Sequence, residues 1–334
     1  MTLADKFNAL VITETGDKEF VRSVETRTID DLPEGDVVVQ VLFSSLNYKD
    51  VLSATGNRGV TRNYPHTPGI DAAGIVAEST DEAFTPGDNV IVTSYDLGMN
   101  TSGGFGQYIR VPSGWVVPQP EDLTAAEAMI YGTAGFTAAM SVWELVESGI
   151  TPEAGAILVS GATGGVGSIA VSILSKLGYS VTAVNGVMDE TDYLKRIGAQ
   201  EVISIEDATD TSGRPLLKAQ WAGAIDTVGG DILATTIKST GPWGTVTCCG
   251  NVASPDLPLN VYPFILRGVQ LIGIDSQNCP MPKRTKIWEK IASDWKIDWL
   301  EKITTEAPFA ELNGKIDLML QGQHVGRTII KMTG

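Results

Sequence analysis

Directly after the apolar run Ala156 to Ser160 stands Gly161-Ala162-Thr163-Gly164-Gly165-Val166-Gly167, and a helical apolar stripe begins inside it. No other segment narrows the fold so far. Val166, Ile169, Ala170, Ile173, Leu174 and Leu177 fall at i, i+3, i+4, i+7, i+8 and i+11, with Gly178 as the stop. A strand that ends in a glycine turn and passes into a helix aims backbone N–H groups and the positive helix end at an anion, and the missing side chains let a pyrophosphate reach the main chain. The spacing is Gly-x-x-Gly-x-x-Gly rather than Gly-x-Gly-x-x-Gly, so the motif takes its weight from context: strand before, helix after, second strand from Ser180. A glycine-rich connection serving only helix and sheet packing is the alternative.

The surrounding chain alternates. Strands are expected at Ala156 to Ser160, Ser180 to Val184, Glu201 to Ser204, Ala224 to Val228 and Thr245 to Cys249, with helices between them, through Leu177 and again through Tyr193 and Ile197. Such alternation implies an α/β fold with a doubly wound parallel sheet of the Rossmann kind. Upstream the texture differs: from Leu3 to about Leu123 the chain is rich in Val, Thr, Gly and Pro, with short apolar runs such as Val37 to Phe43, Gly74 to Ala77 and Asn89 to Thr93. That reads as a β-rich unit. Thr124 to Glu127 then has capping-box spacing, and helical periodicity follows, which places a boundary near residue 125. Arg284 to Trp295 reads as a helix and Thr328 to Met332 as a final strand.

With 334 residues there is room for two domains. A net charge of −16, spread without blocks, repels phosphate backbones and sets nucleic acid aside as a partner. No apolar run approaches the roughly 18 residues of a membrane span. The first ten residues carry Asp5 and Lys6 and lack a secretory pattern, and three cysteines (Cys248, Cys249, Cys279) make no disulfide framework, so a cytoplasmic protein is expected. Cys248 and Cys249, adjacent at a strand end, read as small apolar residues rather than redox groups.

Cofactor choice is decided at the end of the second strand, where an NAD site offers a carboxylate to the ribose 2′-hydroxyl. Here the chain has Asn185, Gly186 and Val187. The missing carboxylate tilts the choice toward NADP. No cation stands there to hold a 2′-phosphate, the nearest being Lys195 and Arg196.

Three further segments complete the reading: Ser45-Leu46-Asn47-Tyr48-Lys49-Asp50, Pro68-Gly69-Ile70-Asp71-Ala72-Ala73-Gly74 and Gly132-Thr133-Ala134-Gly135-Phe136-Thr137-Ala138. With them the chain resembles the medium-chain dehydrogenase/reductase superfamily. Tyr262-Pro263-Phe264-Ile265-Leu266-Arg267-Gly268, followed by Gly273 to Ser276, resembles its quinone oxidoreductase branch, which includes acrylyl-CoA reductases. The resemblance implies a chaperonin-10-like (GroES-like) β domain at 1–125, to which 275–334 return, and a Rossmann NADP-binding domain at 126–274. It implies that Asn47, Tyr48 and Asp50 line the nicotinamide pocket, with Tyr48 near the cofactor. It further implies cofactor contacts at Thr137, Gly161, Thr163, Gly164, Gly165, Val166, Gly167, Asn185, Gly186, Val187, Gly250, Asn251, Ile274, Ser276 and Arg327, and a homodimer. Relatives carry Ser or Thr, Gly, then Lys or Arg where this chain has Asn185, Gly186 and Val187, a departure that bears on selectivity for NADPH.

Residue types narrow the chemistry. Zinc requires three or four ligands, and the first 125 residues hold no cysteine and one histidine, His66, which reads as a surface or packing residue; His324 is the other. No metal site is expected. Direct hydride transfer to an activated alkene or a quinone suits such a chain better than alcohol oxidation. Asn47 and Asp50 have the pattern of a helix cap, and a tyrosine commonly fills a core edge, so capping competes with catalysis. A tyrosine hydroxyl can donate a hydrogen bond or a proton to a developing enolate, so Tyr48 is expected to orient a substrate first and to donate a proton second. Arg58, Arg62, Lys283, Arg284 and Lys286 are candidates for the phosphates of a CoA thioester, with Arg62 and Arg284 foremost; solvated surface charges are the plainer reading. The leading expectation is an NADPH-dependent reductase converting acrylyl-CoA to propionyl-CoA. A quinone or enone reductase is the second, and a dinucleotide-binding sensor or structural protein without turnover is the alternative from another class.

Overall fold

The structure is a computed structural model and describes residues 5–186 and 190–333. Its contacts divide the chain into two units: unit 1 comprises Met1–Thr133, Gln277–Ala292 and Thr304–Gly334, and unit 2 comprises Ala134–Ser276 and Ser293–Ile303. The division at Thr133 lies beyond the change of texture at Thr124, inside one helix. Residues 293–303, expected with the first domain, fall in unit 2.

Unit 1 opens with an antiparallel hairpin of β1 (Phe7–Gly16) and β2 (Glu19–Arg27), whose turn at Gly16-Asp17 the sequence reading did not single out. Next come β3 (Val37–Leu46), α1 (Tyr48–Ala54), β4 (Asp71–Ser79), β5 (Asn89–Thr93), β6 (Tyr108–Val111) and β7 (Val116–Pro118). Strand β3 shows how the sequence builds the unit. Val37, Val39 and Val41 point into one core, whereas Val38 joins Phe7, Ala9 and Tyr108 in another, as period-two alternation dictates. Helix α2 (Ala125–Glu147) begins at the expected box, where Thr124 N–H donates to Glu127 Oε2 at 2.8 Å and Glu127 N–H to Thr124 Oγ1 at 3.1 Å.

Unit 2 continues with β8 (Ala156–Val159), α3 (Gly165–Lys176), β9 (Val181–Asn185), α4 (Thr191–Arg196), β10 (Glu201–Ser204), β11 (Trp221–Asp226), α5 (Gly230–Ser239), β12 (Thr240–Cys248), α6 (Tyr262–Arg267) and β13 (Gln270–Gly273). All pairings are parallel, in the order β10-β9-β8-β11-β12-β13. Numbered within the unit that is 3-2-1-4-5-6, the doubly wound order. Every residue of β9 is buried, as expected of a strand covered on both faces.

The chain then supplies unit 1 with α7 (Met281–Ala292), β14 (Thr304–Pro308), α8 (Leu312–Leu320) and β15 (Arg327–Lys331). Strand β15 enters the first sheet between β14 and β3, and β6 pairs with β3. Among the described residues no helix is long and apolar enough to cross a membrane.

Candidate active site and dinucleotide site

In unit 1 the predicted residues meet around a buried polar hub. Strand β3 ends at Leu46, Asn47 caps α1, and the first helical residue is Tyr48. Asp50, fully buried, accepts hydrogen bonds from Asn47 N–H (2.8 Å), Ile70 N–H (2.8 Å) and Gly69 N–H (3.2 Å). The capping reading holds at this helix start. Asn47 and Asp50 do form the capping box, and the same atoms tie α1 to the hub.

The hub's centre is Asp71, which the sequence had offered only as part of a motif. Its carboxylate accepts from Ser45 Oγ (2.5 Å), Asn47 Nδ2 (2.8 Å), Thr133 N–H (2.9 Å) and Thr133 Oγ1 (2.6 Å). Ser94 Oγ extends the chain to Thr133 Oγ1 at 2.9 Å. Gly132 makes this possible: its φ of 50° breaks α2, and a Cβ there would stand 2.5 Å from Asp71 Oδ2 and 2.7 Å from Ser45 Oγ. Arg327, expected at the cofactor, is buried here in unit 1. It donates from Nε to the Ile130 carbonyl (2.8 Å) and from Nη1 to Asn47 Oδ1 (3.1 Å).

Asn47 is therefore held on both ends of its amide. It fixes the start of α1. Tyr48 is the opposite case, 58% exposed at the helix start. Charge in the hub does not balance, with two carboxylates against one guanidinium. Burial, and then the neighbouring Asp71, push the Asp50 carboxyl up to about 7, against the pull of the backbone donors.

Of the substrate-phosphate candidates, Arg62 is exposed. Arg284 is not: it is fully buried, donates from Nη1 to the Thr93 carbonyl (3.1 Å) and Thr93 Oγ1 (3.0 Å), and lies 4.4 Å from the Tyr95 ring centroid. That engagement makes it a part of the unit's packing and corrects the expectation of a phosphate contact. Its position on α7, among the buried Ile287, Trp288 and Ile291, is why.

In unit 2 the glycine loop has the conformation its sequence implies. Gly161 has φ 58°, and a Cβ on it would meet Thr227 Oγ1 at 2.2 Å; one on Gly167 would meet the Gly161 carbonyl at 2.3 Å. Gly164 caps α3, which has no side-chain cap, and the first amide bonded into the helix is that of Ser168. The amides of Gly165, Val166 and Gly167 precede it, with Thr163 in the turn before them. Sequence reading missed the brace behind this loop. Asp226 accepts from Ser160 Oγ (2.7 Å) and Gly229 N–H (2.8 Å), and Thr227 Oγ1 donates to the Ser160 carbonyl (2.9 Å).

Asn185 ends β9, buried, and Gly186 follows it into solvent; Val187 lies outside the described residues. Gly250, Asn251 and Ile274 line a cavity of about 720 Å³ beyond the ends of β12 and β13, together with Cys248 and Cys249. Burial, reinforced by Asp226, pushes the Cys249 thiol up to about 12, which leaves it protonated and unreactive at neutral pH. Thr137 donates to Ser276 Oγ at 2.8 Å, joining two further predicted residues. Among the described residues no group of three or more His, Cys, Asp or Glu side chains could hold a metal ion.

A six-stranded parallel sheet with this loop, following a β unit with this hub, defines a medium-chain dehydrogenase/reductase, and the chain belongs to that superfamily. Residues 33–121 match the alcohol dehydrogenase GroES-like domain and residues 165–293 the zinc-binding dehydrogenase domain. It is an oxidoreductase with a nicotinamide dinucleotide as cofactor.

Among its relatives, YhfP of Bacillus subtilis, which carries a quinone oxidoreductase name, is 47% identical over 98% of this chain and 99% of its own. The acrylyl-CoA reductase AcuI of Ruegeria pomeroyi is 42% identical over 97% of this chain and 98% of its own. Among solved structures, the YhdH oxidoreductase of Salmonella enterica in complex with NADP superposes with a TM-score of 0.94 at 41% identity, covering 98% of this chain and all of that one. Bacillus subtilis YhfP with NAD bound gives 0.96 at 46%, with the same coverage.

Proposed function

We propose that the chain is a zinc-independent, NADPH-dependent reductase of activated carbon–carbon double bonds, with acrylyl-CoA, reduced to propionyl-CoA, as its substrate. The observation that carries this reading is the 42% identity to AcuI along nearly the whole chain. An exposed tyrosine anchored on a buried polar hub is consistent with it.

The dinucleotide fits the loop, since the Thr227 side chain at Gly161 and main chain at Gly167 leave no room for a Cβ and keep the turn bare where α3 begins. Gly161 to Gly167 would hold the pyrophosphate, Asn185 to Val187 the adenosine ribose, and Gly250, Asn251, Ile274 and the Thr137–Ser276 pair the nicotinamide side. When bound, the cofactor supplies a hydride for the β carbon. Tyr48 orients the substrate first and donates a proton to the α carbon second, sharing that task with water. Polar groups near α1 take up the negative charge of the thioester oxygen, and Arg62 receives a CoA phosphate. Cys248, Cys249 and Cys279, present as thiols, suit a cytoplasmic protein. A second reading, turnover of uncharged quinones or enones, is favoured by the identity to YhfP.

NADPH oxidation measured with acrylyl-CoA, crotonyl-CoA and a set of quinones separates these. Turnover on acrylyl-CoA supports the proposal, turnover confined to quinones selects the second reading, and tight NADPH binding without turnover on any acceptor points to a sensor. For the cofactor, the proteins crystallised with NADP and with NAD bracket the choice. NADPH is preferred here by a modest factor, because each charge-assisted bond missing from the 2′-phosphate forfeits about 1.5–3 kcal/mol. Val187→Arg lowers KM for NADPH and leaves that for NADH nearly untouched; unchanged values for both would place the 2′-phosphate grip elsewhere.

A further inference from the structure

Within unit 2 the glycine loop and the cavity wall leave the sheet from different strands, and one short segment stands between them. The parallel ladder stops where Val159 lies opposite Ile225 and Asp226 opposite Cys248. Beyond it β8 runs into the glycine loop from Ser160, β11 into residues 226–229, and β12 into the stretch from Cys249 to Ser254 that lines the cavity of about 720 Å³. Main-chain bonds fasten that wall to the middle segment. Cys249 N–H donates to the Asp226 carbonyl (3.0 Å), Ala253 N–H to the Val228 carbonyl (2.9 Å), and Gly229 pairs with Ser254. Gly250 lies so near Thr227 that a Cβ on it would overlap the Thr227 carbonyl. The wall therefore moves with residues 226–229.

Thr227 joins the glycine loop to the same segment. Its N–H donates to Ser160 Oγ and its Oγ1 to the Ser160 carbonyl, both at 2.9 Å, and Oγ1 fills the space that a Cβ on Gly161 would need. Asp226 completes the clasp, accepting from Ser160 Oγ at 2.7 Å and from Gly229 N–H at 2.8 Å. One threonine thus meets the loop with its side chain and the wall with its carbonyl. The loop also has anchors of its own: Ser160 N–H donates to the Ile225 carbonyl (3.0 Å), Gly164 N–H to the Gly161 carbonyl (3.0 Å), and α3 behind it is buried from Gly167 to Leu174. Loss of the Thr227 side-chain bond frees the wall more than the loop.

We propose that Thr227 is a positioning residue for the nicotinamide: it sets the distance between a pyrophosphate held at Gly161 to Gly167 and the wall at Gly250 and Asn251, and so where the reactive ring sits. The proposal rests on the assignment of loop and wall to the two halves of the cofactor. It holds for any acceptor.

Isothermal titration of the whole protein with NADPH and with 2′-phospho-ADP-ribose, which carries the pyrophosphate and lacks the nicotinamide, tests it. Thr227→Val keeps the shape and loses the side-chain bond to Ser160. This variant should bind the fragment within about threefold of wild type and NADPH about tenfold more weakly, as the loss of one hydrogen bond implies. Thr227→Ser, which keeps the hydroxyl, should bind both as wild type does. The anisotropy of reduced-nicotinamide emission from bound NADPH should fall in the valine variant and not in the serine one, because the ring gains freedom on the nanosecond scale. A valine variant that binds NADPH like wild type, or that loses NADPH and fragment equally, overturns the proposal. Should it fail to fold, Ser160→Ala decides, since it takes a donor from Asp226 and an acceptor from Thr227 N–H. The same split is expected there, and equal losses on both ligands would overturn the proposal. Gly164→Asp tests the underlying assignment separately, because a carboxylate in the loop repels a pyrophosphate. Unchanged fragment binding in that variant would remove the pyrophosphate from this loop, whatever the Thr227 variants do.

Discussion

Asp50 binds its proton more tightly in the fold than in the unfolded chain, because burial and the Asp71 charge penalise its ionised form. Its folded pKa of about 7 lies above the ordinary value of 3.8, so the native state holds one more proton across that interval and stability falls as pH rises through it. The contribution is fully present below about pH 4 and gone above about pH 7, a span worth on the order of 2–4 kcal/mol. Thermal melts at a series of pH values should show wild type losing stability relative to Asp50→Asn from pH 5 to pH 8; parallel curves would mean that the hub keeps Asp50 ionised throughout. Asn47 and Tyr48, adjacent in sequence, should fail in opposite ways. Asn47→Ala deprives both Asp71 and Arg327 of a partner and should cost about 2–3 kcal/mol. Tyr48→Phe, at an exposed position, should change stability by less than about 0.5 kcal/mol while lowering kcat/KM about tenfold or more. Urea titrations and initial rates on the two variants test the contrast directly, and a Tyr48→Phe enzyme with full activity would remove the tyrosine from the chemistry.

Among the elements, α2 is the one whose form depends on a single residue. Gly132 interrupts it with a backbone that L side chains avoid, and the Asp71, Ser45 and Arg327 side chains crowd the space where a Cβ would be. Gly132→Ala should lose about 2–4 kcal/mol by chemical denaturation, from the backbone and the displaced carboxylate together; a loss below about 1 kcal/mol would show that the hub can yield. The kink also marks what sequence reading could reach. The glycine loop, α3 and the Thr124 cap are local patterns, each written within about a dozen residues, and they fold as their spacing demands. The hub is not local: Asp71 draws Asn47 from 24 positions away and Thr133 from 62, and Arg327 reaches Asn47 across 280. Nothing in the neighbourhood of Asp71 announces those partners. Arg284 misled for a related reason, since its neighbours Lys283 and Lys286 suggest a solvated basic face whereas the apolar spacing of Ile287, Trp288 and Ile291 places residue 284 on the buried side of α7. Gly132 itself was legible only as one letter in a family motif, because a positive φ inside a helical stretch has no periodic signature.

For the molecule as a whole the governing quantity is its charge, −16 over 334 residues. Carboxylates are scattered along both units without blocks, so the folded chain carries a self-repulsion that the expanded unfolded chain relieves. Salt shortens the reach of that repulsion from about 30 Å at 0.01 M to about 10 Å at 0.1 M, and it leaves the burial of the apolar cores intact. Thermal stability should therefore rise as sodium chloride is added, with most of the gain below 0.1 M, where the screening length changes fastest. Surface ion pairs such as Arg58–Glu14 and Lys176–Asp298 would produce the opposite slope, since salt weakens them. Melts at a series of sodium chloride concentrations read the sign, and a melting temperature that falls with salt would mean that local ion pairs outweigh the net charge.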